Sequence, residues 1–305
     1  MNLLITGAWK NGKEHLEELK KMGHNVTFLQ YETHELSCPY EWVEGIVGNG
    51  IFLSHPIEKF KNLRYIQLTS AGYDRVPMDY IQKHGISIYN AGDVYATPMA
   101  EFVLSSVLQI YKKATLFYNN QQNQKWEKIR SINELNGKTV CIIGCGNVGR
   151  RCSKLFSAFG CKVVGIDLVP SKKDFFDRIG AITERNDILP DADIVLLSLP
   201  LTSQTKRMFG ARELELLKPG AVLVNISRGG LIVTDELVNR LKKGDLFAVL
   251  DVFEEEPLSA DHLLWTLPNV TVTPHNSFVG EHNEERLLYQ IMKNLTENRN
   301  DQRNY

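Results

Sequence analysis

The stretch TVCIIGCGNVGRRCSKLFSAFGCKVVGID constrains the fold of this chain more than any other. An apolar run leads directly into Gly144, Gly146 and Gly149, spaced GxGxxG, and an amphipathic helical pattern follows at once. Asp167 then closes the next apolar run. Strand, glycine turn, helix and a second strand ending in an acid make up the unit that binds dinucleotides. The three glycines act differently. Gly144 permits the tight turn, Gly146 lets backbone approach a pyrophosphate, and Gly149 lets the helix lie close to the sheet. Asn147 and Val148 open the helix, whose unpaired N–H groups and positive dipole end suit a phosphate. Asp167 is expected to accept the adenosine ribose hydroxyls. The residues after it, Leu168 to Ser171, offer no early arginine for a 2′-phosphate, so NAD is favoured over NADP.

The remaining patterns alternate strand and helix, which requires parallel sheets with helices on both faces. One run covers about residues 1 to 93: LLITGA, the charged helical stretch GKEHLEELKKMG, then NVTFLQ, GIVGNG, YIQLTSAG and ISIYNAG. A second extends from TVCIIG to VTVTPH. Between them, TPMAEFVLSSVLQIYKKATLFY predicts a connecting helix from about Thr97 to Tyr118, with Pro98 in its first turn. The polar NNQQNQKWEKIR that follows reads as a loop or arm. In it, Trp126 and Ile129 are either anchors against another subunit or the body of the protein, or members of a surface loop with one packed Trp. The N-terminal LLITGAWKNG imitates a nucleotide turn, but Gly7 and Gly12 lack the GxGxxG spacing, and an ordinary strand-to-helix turn is expected.

A length of 305 residues with 43% hydrophobic content is enough for two cores. The formal charge is -1 and acids and bases are interleaved, so no one-signed field exists to draw in nucleic acid or an anionic membrane. Apolar runs such as DIVLLSLPL are far shorter than the ~20 residues of a membrane span. MNLLITG lacks the basic flank and apolar core of a signal peptide, and a cytoplasmic protein is expected. Cys38, Cys141, Cys145, Cys152 and Cys161 include no CxxC pair, so they read as reduced thiols without a metal.

Ligands of open parallel sheets gather beyond the carboxyl ends of the strands. After ADIVLLS comes LPLT; after AVLVNIS comes Arg228; after LFAVLDV comes FEEEP, with Glu254, Glu255 and Glu256; after NVTVT come Pro274 and His275. An arginine, a carboxylate cluster and a histidine on neighbouring strand ends beside a dinucleotide form a coherent set.

In that order, TSAGYD, GCGNVG, SLPLT, NISRGGLIVTDELVNRLKKG, LDVFEEEPL and NVTVTPH resemble the D-isomer-specific 2-hydroxyacid dehydrogenase family over nearly the whole chain. The resemblance implies an α/β fold in which a Rossmann-type NAD-binding domain, residues 98–275, is inserted in a smaller flavodoxin-like substrate domain made of residues 1–97 and 276–305. The family's arginine, glutamate before proline, and histidine after Thr-Pro map onto Arg228, Glu256 and His275 as catalytic residues, with Glu255 as the fallback for the carboxylate. NAD contacts fall to Gly144, Gly146, Asn147, Val148, Gly149, Asp167, Leu199, Pro200, Thr205, Ile226, Ser227, Arg228, Asp251 and His275. Substrate contacts fall to the backbone of Ser70, Ala71 and Gly72 and to Arg228 and His275, with domain closure excluding water. The implied reaction is hydride transfer between nicotinamide C4 and C2 of a small-molecule 2-keto or D-2-hydroxy acid, with His275 moving the proton. Tyr73, Tyr95 and the segment Val47 to Asn49 are candidates for substrate selectivity. A homodimer is also implied. The segment Asp245 to Val249 is one residue shorter than is usual in the family. Two other readings stand beside this one: an NAD(H)-sensing regulatory protein with vestigial activity, and a different Rossmann enzyme such as an NAD-dependent hydrolase or an L-specific dehydrogenase. The order of Arg, Glu and His after successive strands argues against the last.

Overall fold

The computed structural model describes residues 1–301. The chain forms two compact units, one of residues 1–95 with the segment from Gly280 onward, the other of Ala96–Val279.

The first unit begins with β1 (Asn2–Thr6), α1 (Leu16–Lys21), β2 (Asn25–Leu29), β3 (Gly45–Gly48), β4 (Tyr65–Leu68), α2 (Met78–Lys83) and β5 (Ser87–Tyr89). Its strands pair in parallel in the order β2-β1-β3-β4-β5, the flavodoxin-like arrangement. β3 and β4 are buried along their whole length, as expected of strands covered on both faces. The charged GKEHLEELKKMG stretch divides into a 3-10 turn, Gly12–His15, and α1. A Cβ at Gly12 would press on the ring of buried Trp9 at 3.0 Å, so LLITGAWKNG is a strand-to-helix turn packed on its own Trp.

The second unit contains α3 (Ala96–Tyr111), α4 (Ala114–Gln122), β6 (Thr139–Ile143), α5 (Asn147–Ala158), β7 (Lys162–Asp167), β8 (Arg178–Ala181) and α6 (Arg185–Ile188). It continues with β9 (Ile194–Leu197), α7 (Ala211–Glu215), β10 (Val222–Asn225), α8 (Thr234–Leu241), β11 (Phe247–Leu250) and β12 (Val270–Val272). All neighbouring strands are parallel, in the order β12-β11-β10-β9-β6-β7-β8, and the order reverses between β6 and β9. That is the Rossmann arrangement with its topological switch point.

Side chains alternate across a strand, so each strand serves two cores. Cys141 and Ile143 join Leu197, Leu223, Leu250 and the buried residues of α7 and α8. Val140 and Ile142 join Leu196, Val224, Val249, Phe156 of α5 and Val103, Val107 and Tyr111 of α3. In the short segment before β11, the N–H of Gly220 donates to the Asp245 carbonyl and that of Phe247 to the Ala221 carbonyl. These bonds set Val222 opposite Phe247 and keep β11 in register with β10.

The single helix expected over residues 97–118 is two helices. Lys113 adopts a left-handed conformation, φ 52°, which ends α3 and restarts the chain as α4. The polar residues Asn119 to Gln122 belong to α4, and the irregular arm begins after them. No helix among the described residues is long and apolar enough to cross a membrane.

The last helix, α9 (Asn283–Asp301), completes the first unit. Leu287, Ile291 and Leu295, one helical turn apart, are buried with Leu3, Ile5 and Trp9. Asn294 Nδ2 donates to Gln67 Oε1 at 2.7 Å, and both side chains are buried. Gln67 Nε2 in turn donates to the carbonyls of Leu68 and Asn90. Asn294→Leu removes a partner from a buried amide and is expected to cost about 1–3 kcal/mol in urea unfolding. A variant as stable as the parent would show that apolar packing alone seats α9.

Candidate active site

The glycine turn after β6 is built as tightly as its sequence suggests. Gly144 has φ +103°, and a Cβ there would lie 2.6 Å from the Ser198 carbonyl oxygen. A Cβ at Gly149 would lie 2.1 Å from the Gly144 carbonyl oxygen, which is how closely α5 approaches the turn. A Cβ at Gly146 would meet nothing within 4 Å, so the space in front of this residue is open. Gly146 caps α5, whose first turn begins at Asn147 and Val148 and offers N–H groups without intrahelical partners. An open glycine at a helix N-terminus fits the pyrophosphate of NAD. Asp167, at the end of β7, accepts the Cys145 N–H at Oδ2, 2.8 Å away, which ties the acid to the glycine turn. Burial pushes the Cys145 thiol up to about 12, so it stays protonated and inert near neutral pH.

The next strand ends are equally fixed. Leu199 is buried behind β9, and Thr205 Oγ1 donates to the Pro200 carbonyl at 2.7 Å while accepting the Thr202 N–H. Behind β10, Ile226 is buried, Ser227 donates its N–H to Asn225 Oδ1, and Asn225 Nδ2 donates to the Arg228 carbonyl. Arg228 is half-buried in extended backbone, and its guanidinium donates to the Ser227 carbonyl at 2.8 Å. Gly229 packs so closely on the Phe253 backbone that a Cβ would lie 1.9 Å from the Phe253 carbonyl carbon. The arginine turn and the glutamate segment are therefore in contact.

Of the three glutamates, Glu256 meets the histidine. Its Oε2 lies 2.8 Å from His275 Nδ1, and its Oε1 accepts the Phe253 N–H at 3.0 Å. Glu254 accepts the Thr234 hydroxyl instead, and Glu255 is exposed. A carboxylate on Nδ1 fixes the ring and its tautomer and leaves Nε2 for chemistry. The Phe278 ring stands edge-on to the imidazole at 5.8 Å.

His275 itself has φ 51°, a left-handed conformation that costs a non-glycine residue about 1 kcal/mol or more. Asp251, the fully buried residue after β11, holds that conformation in place. Its Oδ1 accepts the Thr273 hydroxyl at 2.6 Å and the Asn276 N–H at 2.8 Å, and its Oδ2 accepts the Ser277 N–H at 2.9 Å. The family resemblance assigns Asp251 to the cofactor; the other reading of a strand-end carboxylate is that it caps nearby backbone, and here it does so for Asn276 and Ser277 while also holding Thr273.

In the first unit, Ser70, Ala71 and Gly72 follow β4. Asn90 Nδ2 donates to the Ala71 carbonyl, and Ala91 N–H to that of Ser70. Ser70 Oγ donates to the Gly72 carbonyl. The Tyr95 hydroxyl donates to the Thr69 carbonyl, and Tyr73 is exposed.

Known proteins similar to this chain share its NAD-binding domain. The family model described as D-isomer specific 2-hydroxyacid dehydrogenase, NAD binding domain, matches residues 104–277. The chain is 33% identical to D-3-phosphoglycerate dehydrogenase of Methanocaldococcus jannaschii over 72% of its own length, and spans 42% of that relative's. It is 30% identical to glyoxylate reductase of Aeropyrum pernix, over 76% of this chain and 72% of that one. The solved D-lactate dehydrogenase of Aquifex aeolicus, complexed with NAD and lactic acid, superposes with TM-score 0.78 at 25% identity, over 97% of this chain and 94% of that one.

Replacing Asp251 by alanine leaves two N–H groups and a hydroxyl in the histidine turn without their acceptor. The expected loss is about 3 kcal/mol in denaturant unfolding. A loss below about 1 kcal/mol would mean that the turn holds without its carboxylate.

Proposed function

The chain belongs to the D-isomer specific 2-hydroxyacid dehydrogenase family, whose members are NAD-dependent oxidoreductases, and we propose that Arg228, Glu256 and His275 carry its reaction. The observation behind this reading is the Glu256–His275 pair at 2.8 Å, set among the strand ends of a dinucleotide fold. Bound NAD(H) supplies or accepts the hydride at nicotinamide C4. In reduction, His275 Nε2 gives its proton to the carbonyl oxygen of a 2-keto acid; in oxidation the ring takes it back from the 2-hydroxyl. Glu256 holds the ring through Nδ1 and leaves Nε2 for the proton transfer. Arg228 offers a planar fork of donors to the substrate carboxylate and the adjacent oxygen. In the first unit, the backbone N–H groups of Ser70, Ala71 and Gly72, after β4, are the proposed substrate-binding donors. Gly144, Gly146, Asn147, Val148, Gly149 and Asp167 hold the pyrophosphate and ribose, Pro200 and Ser227 line the remainder of the cofactor site, and the buried Leu199, Thr205, Ile226 and Asp251 support it from behind.

His275→Ala is expected to lose on the order of 10² to 10⁴-fold in turnover while still binding NADH. The assay is NADH oxidation across hydroxypyruvate, glyoxylate, pyruvate, phenylpyruvate, a branched-chain keto acid and phosphohydroxypyruvate. Unchanged turnover in the variant would sink the role of His275. NADH binding by the parent without turnover on any keto acid would favour a sensor on the same fold.

The working assembly is proposed to be a homodimer. Leu116, Phe117 and Tyr118 of α4 are exposed, as is Ile132, and Trp126 of the arm is 95% exposed. A large apolar side chain left in water at this level suits a surface that a second copy covers. Light scattering is expected to give a dimer mass for the parent and a shift toward monomer for Trp126→Asp. A monomeric parent would rule the assembly out.

A further inference from the structure

The loop after β7 brings a cation back to the acid that ends the strand. Lys173 Nζ donates to the Cys145 carbonyl at 2.7 Å and stands 3.6 Å from Asp167 Oδ2. That oxygen already accepts the Cys145 N–H, while Oδ1 takes only a long bond of 3.3 Å from the Val169 N–H. The ammonium thus shares the place where Asp167 would meet an adenosine ribose. Beside it lies a cavity of about 290 Å³ whose lining includes Ser171, Lys172, Lys173, Phe176 and Arg178. Asp177, also on this wall, is turned inward to accept the Val163 N–H, and Arg178 is paired with Glu184. Lys172 makes no hydrogen bond or ion pair with any described residue.

An acid alone at this point of a dinucleotide fold repels a 2′-phosphate, whereas a nearby cation accommodates it. Here the acid carries its own counter-charge, and a second lysine lies next to the first. The Lys173–Asp167 contact is long and partly solvated, which makes it a weak pair. A dianionic phosphate is a stronger partner for the ammonium than a singly charged carboxylate that is already hydrogen-bonded.

We propose that Lys173, with Ser171 and Lys172, receives the 2′-phosphate of NADPH, so that the protein accepts both nicotinamide cofactors. This deepens the cofactor assignment of the second unit and is independent of the role of His275. The two lysines come from the loop beyond Asp167 and not from the glycine motif.

The test is a set of dissociation constants for NADH and NADPH, measured by calorimetric titration on the parent, Lys173→Ala and Lys173→Arg. The parent is expected to bind NADPH within about tenfold of NADH. Lys173→Ala should weaken NADPH about 10- to 100-fold more than NADH, the range a charged hydrogen bond supplies. Lys173→Arg should keep the parent's ratio, since the charge remains. The proposal is overturned if the parent binds NADPH more than about 100-fold more weakly than NADH. It is equally overturned if Lys173→Ala weakens both nucleotides by the same factor, which would make the lysine a strut for the glycine turn. Binding of neither nucleotide would remove this proposal and the cofactor assignment together.

Discussion

Parallel pairing along the whole larger sheet determines where chemistry can occur in this protein. Every strand from β6 to β12 runs the same way, so every strand-to-helix turn falls at one edge. Register then sets how far each side chain reaches. Asn225 pairs with Leu250, and Leu250 with Val272, so β10, β11 and β12 end level with one another. Arg228, Asp251 and His275 each follow within a few residues of that common line. A slip of one residue in β11 would turn Asp251 toward the opposite face and take the histidine turn with it.

Level strand ends bring residues near one another but do not aim them. Aiming is done by side chains that bind backbone. Asp251 gathers Thr273, Asn276 and Ser277 around His275, and Glu256 holds both the Phe253 N–H and the imidazole. Asn225 performs the same service for the turn that carries Arg228, accepting from Ser227 and donating to the Arg228 carbonyl. The left-handed backbone at His275 persists because three hydrogen bonds to a buried carboxylate outweigh its local cost.

The α/β class, the two parallel sheets and the glycine turn were legible because they rest on local pattern: apolar runs, helical periodicity and a fixed glycine spacing. The family resemblance picks the glutamate before Pro257, with Glu255 as the fallback, and Glu256 is the one that lies against His275. What escaped the sequence was non-local or conformationally atypical. The break between α3 and α4 occurs at a lysine in a conformation usually marked by glycine, so no residue type announced it. The return of Lys173 to Asp167 depends on the path of a loop with no period to read. The convergence of Thr273, Asn276 and Ser277 on Asp251 needs both the register of β11 and the turn after β12.

The closing helix of the first unit also orders events during synthesis. Its core joins Leu3, Ile5 and Trp9 to Leu287, Ile291 and Leu295, which are made only after residues 96–279. Between them lies the complete second unit, residues 96–279, which carries its own cores and can fold as the chain emerges. The strands β1 to β5 must therefore wait for α9 before this core is closed. During that interval the second unit is the part of the nascent chain able to reach a native state first.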